Sequence, residues 1–163
     1  MQFSTPEEIQ QKQLKRRPAE EQDYEFARQV HHASYRDVVE KQFGSWDEQK
    51  QDKFFRSAWE SSPHELIYCN GEPCGYFSMH ETDDAIQLHE LVLLPEFQGQ
   101  GIGSEILKES LEQVRAKHKP VRLQVLKKNK AANLYRRMGF KETGETETHI
   151  EMEFNPHNST HHG

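Results

Sequence analysis

The sequence predicts a single α/β (α+β) domain built on a mixed sheet with helices on both faces. Three observations lead there. Ile86–Leu111 reads as a strand, a short glycine-bearing loop and an amphipathic helix. Leu66–Cys69 and Cys74–His80 flank Asn70-Gly71, a dipeptide suited to a hairpin turn. Strand-like and helix-like stretches interleave along the chain with hairpins among them, which gives a mixed sheet.

The elements follow in order. Leu14-Lys15-Arg16-Arg17 is short and meets Pro18, as an edge strand does. Acids at Glu20 and Glu21 suit the start of a helix whose face carries Tyr24, Ala27, Val30, Ser34 and Val38. His31, His32 and Tyr35 lie on or beside that face. Gly44 breaks the pattern, and Ser45 or Asp47 is placed to cap a second helix containing Phe54, Phe55, Ala58 and Trp59. The Asn70-Gly71 hairpin follows, and Thr82-Asp83-Asp84 turns the chain into Ile86–Leu94. That strand opens with alternation and becomes continuously apolar from Leu91. Val121, Leu123 and Val125 alternate with Arg122 and Gln124 in a further strand. Asn129 is placed to cap a helix over Lys130–Met138 that stops at Gly139, and Phe140–Gly144 with His149–Phe154 make a closing hairpin.

The chain has 163 residues, a length for one domain, expected over residues 14–155 with flexible segments at 1–13 and 156–163. Lysine and arginine number 21 against 27 acids, a net charge of −6. That balance argues against nucleic acid and is compatible with a cationic amine substrate. No apolar run approaches membrane-spanning length and MQFSTPEEIQ lacks a signal-peptide core, so a cytoplasmic protein without membrane contact is expected. Cys69 and Cys74 read as two free thiols in a reducing compartment, a disulfide across the hairpin being the alternative. No metal-ligand spacing emerges among the ten histidines.

The informative stretch is Pro95-Glu96-Phe97-Gln98-Gly99-Gln100-Gly101-Ile102-Gly103. A glycine-rich turn feeding a helix start offers unpaired N–H groups and the positive end of the helix dipole, a place for phosphate. The glycines at 99, 101 and 103 let the backbone approach a ligand without a Cβ in the way. The spacing is not G-x-G-x-x-G, and no lysine stands in P-loop position, so nucleotide readings are weak. A purely structural strand-to-helix turn is the alternative.

Gln98-Gly99-Gln100-Gly101-Ile102-Gly103 resembles the Q/R-x-x-G-x-G/A acyl-CoA loop of the GNAT N-acetyltransferase superfamily, and the preceding apolar strand with Leu94-Pro95 is similar too. Downstream, Asn129 and Ala131-Ala132-Asn133-Leu134-Tyr135-Arg136-Arg137-Met138-Gly139-Phe140 resemble the second GNAT signature. The asparagine stands six residues before the tyrosine, where many relatives have seven. The two motifs cover roughly the C-terminal half.

The resemblance implies a mostly antiparallel sheet with a splayed strand pair forming an acyl-CoA cleft. It implies acetyl-CoA as co-substrate, with no metal, and a primary amine of a small molecule or protein as acceptor. Backbone groups of Leu91, Val92 and Leu93 would pair with the pantetheine arm. N–H groups from Gly99 through Gln100, Gly101, Ile102 and Gly103 to Ser104 would hold the pyrophosphate, with Gln98 and Asn129 beside them. Tyr135 would hydrogen-bond the departing thiolate; its alternative is a core side chain. Glu90 is the expected base, because the family often places one on this strand and Gln124 stands where some relatives carry a catalytic glutamate. By parity Glu90 falls with Ile86, Leu88 and Val92 unless the strand bulges, and a carboxylate in an apolar register has its pKa raised. A solvated charge or a salt bridge is the alternative. Trp46, Tyr35 and His31 are the expected substrate contacts, against readings as packed side chains. Transfer would be direct in a ternary complex, the rival being a non-catalytic acyl-CoA sensor. Members of the family often pair, so a homodimer is one expected state.

Overall fold

Asn70 and Gly71 adopt φ of 53° and 85°, two successive left-handed residues whose twist matches the strands they join. The computed structural model describes residues 13–156 and builds on that hairpin a seven-stranded sheet. β1 (Leu14–Pro18), β2 (Glu65–Cys69), β3 (Glu72–Glu81) and β4 (Ile86–Leu93) run antiparallel side by side. β5 (Val121–Leu126) joins β4 in parallel. β7 (His149–Phe154) lies between β5 and the outermost strand β6 (Lys141–Glu145), antiparallel to both. The sheet is mixed and mostly antiparallel, with β1 at one edge. Of the predicted terminal segments, residues 1–12 and 157–163 lie outside the described residues. No helix among the described residues is long and apolar enough to cross a membrane.

Helices cover both faces. On one side, α1 (Tyr24–Phe43) and α2 (Glu48–Ser61) pack Ala27, Val30 and Phe55 against Leu66, Tyr76 and Val92. On the other, α3 (Ile102–Val114) and α4 (Ala131–Arg137) bury Ile102, Ile106, Leu107 and Tyr135 against Ile67, Phe77, Ile86 and Val125. Each start and stop has a local cause. A 3-10 turn at Glu21–Asp23 precedes α1, so the helix proper begins later than the acids suggest. Gly44 ends it at φ 90°, and the Asp47 carboxylate accepts from Lys50 N at 3.1 Å to cap α2. The last helix spans Ala131–Arg137 rather than Lys130–Met138, with Asn129 Oδ1 accepting from Ala131 N at 2.9 Å. Cys69 and Cys74 are free thiols buried in the core, and burial pushes the Cys74 thiol up to about 12.

One irregularity decides the site. Ser78 pairs with Glu90 but Met79 pairs with Leu88, so His89 is an extra residue in β4. Ile86 and Leu88 before this bulge, and Leu91 and Leu93 after it, face α3. Glu90 and Val92 therefore point to the α1–α2 side. The expected parity holds for Glu90 with Val92 and fails for Glu90 with Ile86 and Leu88, because the bulge resets the alternation.

Candidate active site

β4 and β5 pair only at Ile86↔Val121 and Gln87↔Arg122. Beyond Gln87 the strands part, and β4 keeps β3 as its one strand partner among the described residues. The bulge at His89 sits where the pairing ends, the place where such an irregularity bends a strand away from its neighbour. A cleft of about 970 Å³ opens there. Glu90–Leu93 form its floor. Gln124, Val125 and Leu126 of β5 and the Asn129–Tyr135 segment form one wall, and α1 with the start of α2 forms the other.

At one end stands the glycine loop. A 3-10 turn over Pro95–Phe97 follows β4, and the Gln98 side chain then donates to Leu93 O and to Ser34 Oγ, both at 2.9 Å. Ser34 Oγ itself donates to Leu93 O at 2.7 Å, so α1, the end of β4 and the loop are tied at one carbonyl. Gly99 and Gly101 have φ of 74° and 84°, and a Cβ on either would meet nothing within 4 Å. These two glycines are needed for backbone conformation. Gly103 differs: a Cβ there would lie 3.4 Å from Leu134 Cδ2, so it permits close approach of α3 and α4. Gly101 caps α3 in the left-handed conformation. An open loop leading into the first turn of a 13-residue helix fits a phosphate group well.

The expected contacts divide. Leu91, Val92, Leu93, Gln98, Gly99, Gly101, Gly103, Ser104, Asn129 and Tyr135 line the cleft. Ile102 has its side chain buried in the apolar layer, and the Gln100 side chain turns back to donate to Glu96 O at 2.8 Å. Neither of these two lines it. The Gln124 amide donates to Glu151 Oε2 at 3.2 Å.

The middle of the cleft holds a group of titratable side chains around Glu90. Glu90 Oε2 and the Tyr76 hydroxyl are both buried with no hydrogen-bond partner among the described residues. Burial pushes the Glu90 carboxyl up to about 7, the nearby Tyr76 hydroxyl offsetting part of the rise. The phenols of Tyr35, Tyr76 and Tyr135 are all raised by burial, with the charge of Glu90 adding to each. Glu90 thus lies near three phenols from α1, β3 and α4, with Tyr35 and Tyr135 lining the cleft and Tyr76 fully buried behind it. The Tyr135 ring packs edge-on against Phe140 at 5.6 Å, so this residue is both a core side chain and a cleft residue. Tyr76 is the member that the sequence reading did not single out; its position in the strand after the hairpin carries no motif.

The other end is walled by His31 and Tyr35, whose rings lie 4.7 Å apart, and by the exposed side chains of Phe43 and Phe54. Trp46 does not line the cleft. Its Nε1 donates to Glu48 Oε1 at 2.7 Å, and its ring sits between His32 and the Arg36 guanidinium. The exposed aromatic side chains that line this end are Phe43 and Phe54. His32, Glu48 and Asp52 form a cluster with metal-like spacing, but Arg28 ion-pairs with both carboxylates, at 3.0 and 2.8 Å, and occupies the place of a cation.

A family model described as an acetyltransferase (GNAT) domain matches residues 61–142, just over half of the chain. The chain belongs to the GNAT acetyltransferase family. It is 30% identical over 94 residues to an uncharacterized N-acetyltransferase of Methanocaldococcus jannaschii, a match covering 56% of this chain and 40% of that protein. A stretch of 46 residues is 37% identical to an uncharacterized N-acetyltransferase of Archaeoglobus fulgidus, covering 28% of this chain and 31% of the relative. The matches therefore span less than half the length of these curated relatives. In fold, the chain is similar to the PaiA N-acetyltransferase of Thermoplasma acidophilum, solved in complex with coenzyme A, with a TM-score of 0.71 and 19% identity over 88% of this chain and 99% of that one. It is also similar to the ribosomal-protein-S18-alanine N-acetyltransferase of Escherichia coli, with a TM-score of 0.65 and 19% identity over 88% and 94% of the two chains. At these identities the likeness is one of fold.

Proposed function

We propose that this GNAT protein is an acetyl-CoA-dependent N-acetyltransferase that acts on a primary amine, of a small molecule or a protein, by direct attack in a ternary complex. The observation that carries the reading is Glu90, a buried carboxyl without an ion-pair partner, raised to about 7 where β4 and β5 separate. An amine near ~10.4 must lose a proton to become a nucleophile, and a base poised near the operating pH suits that task.

The residues then take these roles. The glycine loop and first turn of α3 hold the pyrophosphate, and the free edge of β4 over Leu91–Leu93 holds the pantetheine arm. Acetyl-CoA would supply the thioester: the acceptor nitrogen forms the C–N bond, the C–S bond breaks, and CoA leaves as the thiolate. Glu90 takes a proton from the acceptor nitrogen. Tyr135 donates a hydrogen bond to the departing sulfur; its raised phenol is too weak an acid to transfer the proton outright. An acyl-cysteine route has no support, since Cys69 and Cys74 are buried in the core and neither lines the cleft.

The test is a thermal melt with acetyl-CoA, CoA, ATP or NAD, followed by thiol release with a panel of amines. At 100 times its dissociation constant, acetyl-CoA adds about 2.7 kcal/mol, a shift of several degrees. ATP and NAD give none. Tyr135→Phe then slows thiol release by ~10-fold or more while the acetyl-CoA shift persists. An acyl-CoA shift without amine-dependent thiol release would point to a sensor, and no shift at all would end the reading.

A further inference from the structure

Beside the acceptor end of the cleft lies a chain of three side chains that the roles above do not use. His31 Nδ1 is 2.9 Å from His32 Nδ1, and His32 Nε2 is 2.7 Å from Asp52 Oδ1. We infer that His32 and Asp52 hold His31 in the tautomer whose Nε2 is an unprotonated lone pair facing the acceptor, and that His31 thereby accepts a hydrogen bond from the amine and orients it. The inference rests on the N-acetyltransferase reading for the identity of the amine.

The tautomer follows from counting donors. Asp52 Oδ1 accepts from Arg28 Nε at 2.8 Å, and hydrogen bonds from Arg28 and His32 lower the carboxyl below its ordinary range, so Asp52 is an ionised acceptor. His32 Nε2 must therefore carry the hydrogen. With that one hydrogen on His32, its Nδ1 is a lone pair, and His31 donates from its own Nδ1 across the 2.9 Å contact. One nitrogen of His31 remains, Nε2, without a hydrogen.

That nitrogen has a place to act. His31 is only 7% exposed, held between Tyr35 and Phe55, with ring centroids at 4.7 and 5.1 Å, and it lines the cleft. No described residue hydrogen-bonds its Nε2. Burial, and then the neighbouring His32, hold its pKa down to about 3, so His31 stays neutral. A base that weak does not deprotonate an ammonium group, and its use is as a fixed acceptor for N–H. His32 and Asp52, which do not line the cleft, are positioning residues.

The surroundings of the two rings differ. The groups facing His32 are Asp52, Glu48 at 4.0 Å, Arg28 through both carboxylates, and the Trp46 ring with Arg36 beyond it. The groups facing His31 are His32, Tyr35 and Phe55.

The experiment is a two-bond proton–nitrogen spectrum of the histidine rings in the uniformly ¹⁵N-labelled protein at pH 8, with Asp52→Ala beside the wild type. His31 is expected to show an unprotonated Nε2 and a protonated Nδ1 in the wild type, and a mixture of tautomers in Asp52→Ala. The Asp52 side chain is 37% exposed and Arg28 keeps Glu25 and Glu48, so the variant is expected to fold. Its KM for the amine is expected to rise ~10-fold, the scale of one lost buried hydrogen bond, with kcat and the acetyl-CoA melting shift little changed. Asp52→Glu restores part of the loss. A wild-type His31 protonated at Nε2 would overturn the inference, and so would an Asp52→Ala protein with unaltered tautomer and amine KM. Absence of any acetyl-CoA shift in the wild type would instead strike at the acetyltransferase reading, leaving the tautomer measurement to stand by itself.

Discussion

Along the α3–α4 side the cleft presents backbone: the open edge of β4, two left-handed glycines and the first turn of α3. Along the α1–α2 side it presents side chains: His31, Tyr35, Phe43 and Phe54, backed by His32 and Asp52. Under the proposed function, the backbone-lined half would serve the shared ligand and the side-chain-lined half the variable one. Backbone N–H groups bind phosphate whatever residues flank them, while an acceptor is recognised by the shape and charge of side chains. Glu90 and Tyr135 stand where the two halves meet.

Removing Glu90, the proposed base at that boundary, has the largest expected effect. Glu90→Gln should lower amine-dependent thiol release ~100-fold or more at pH 8 and leave the acetyl-CoA melting shift in place. Wild-type activity should rise with pH through about 7 as Glu90 ionises. Stability should move the other way. The folded carboxyl keeps its proton between about 4.5 and about 7, where the unfolded chain has released it, so stability falls as pH rises across that window. Glu90→Gln removes the fall and should be more stable than wild type at pH 8, by up to about 3 kcal/mol, as read by denaturant titration. A variant equally active, or one whose stability tracks pH as wild type does, would break the assignment.

The backbone half is sharpened by comparing two glycines. Gly101→Ala forces a side chain into φ of 84° and should cost on the order of 1 kcal/mol, with a weaker acetyl-CoA shift. Gly103→Ala meets Leu134 at 3.4 Å and should change the melting temperature less. Equal effects would mean that loop conformation is not what the first glycine supplies. The smallest expected effect is at the mouth: Phe43→Ala or Phe54→Ala should raise the amine KM several-fold and leave the acetyl-CoA KM alone. Each side chain is more than half exposed, so neither truncation should unfold the protein.

Much of this was legible in the residues themselves. Asn70-Gly71, Gly44, Gly139 and the Asp47 cap marked turns and helix ends correctly, because such signals act over a few residues. The glycine loop was readable for the same reason, although the three glycines turned out to serve two purposes. The parity of Glu90 was not readable. Alternation predicts a side only while the strand is regular, and the extra His89 is visible only in the pairing of β3 with β4. Trp46 shows the same limit, since helix–loop–helix spacing does not say which side of the connection faces the cleft.

The order of elements, the hairpin, the glycine loop and the family resemblance were already set by the residues. These rest on local backbone preference and on periodicity, which neighbouring residues settle among themselves. The tertiary structure decided where β4 leaves β5, that Glu90 meets Tyr35, Tyr76 and Tyr135, and that His31, His32 and Asp52 form one chain. Those groups come from α1, α2, β3, β4 and α4, and His31 and Tyr135 stand 104 positions apart along the chain. They are brought together by the packing of two helical layers on one sheet, and burial in that packing is what raises the Glu90 carboxyl and keeps His31 neutral.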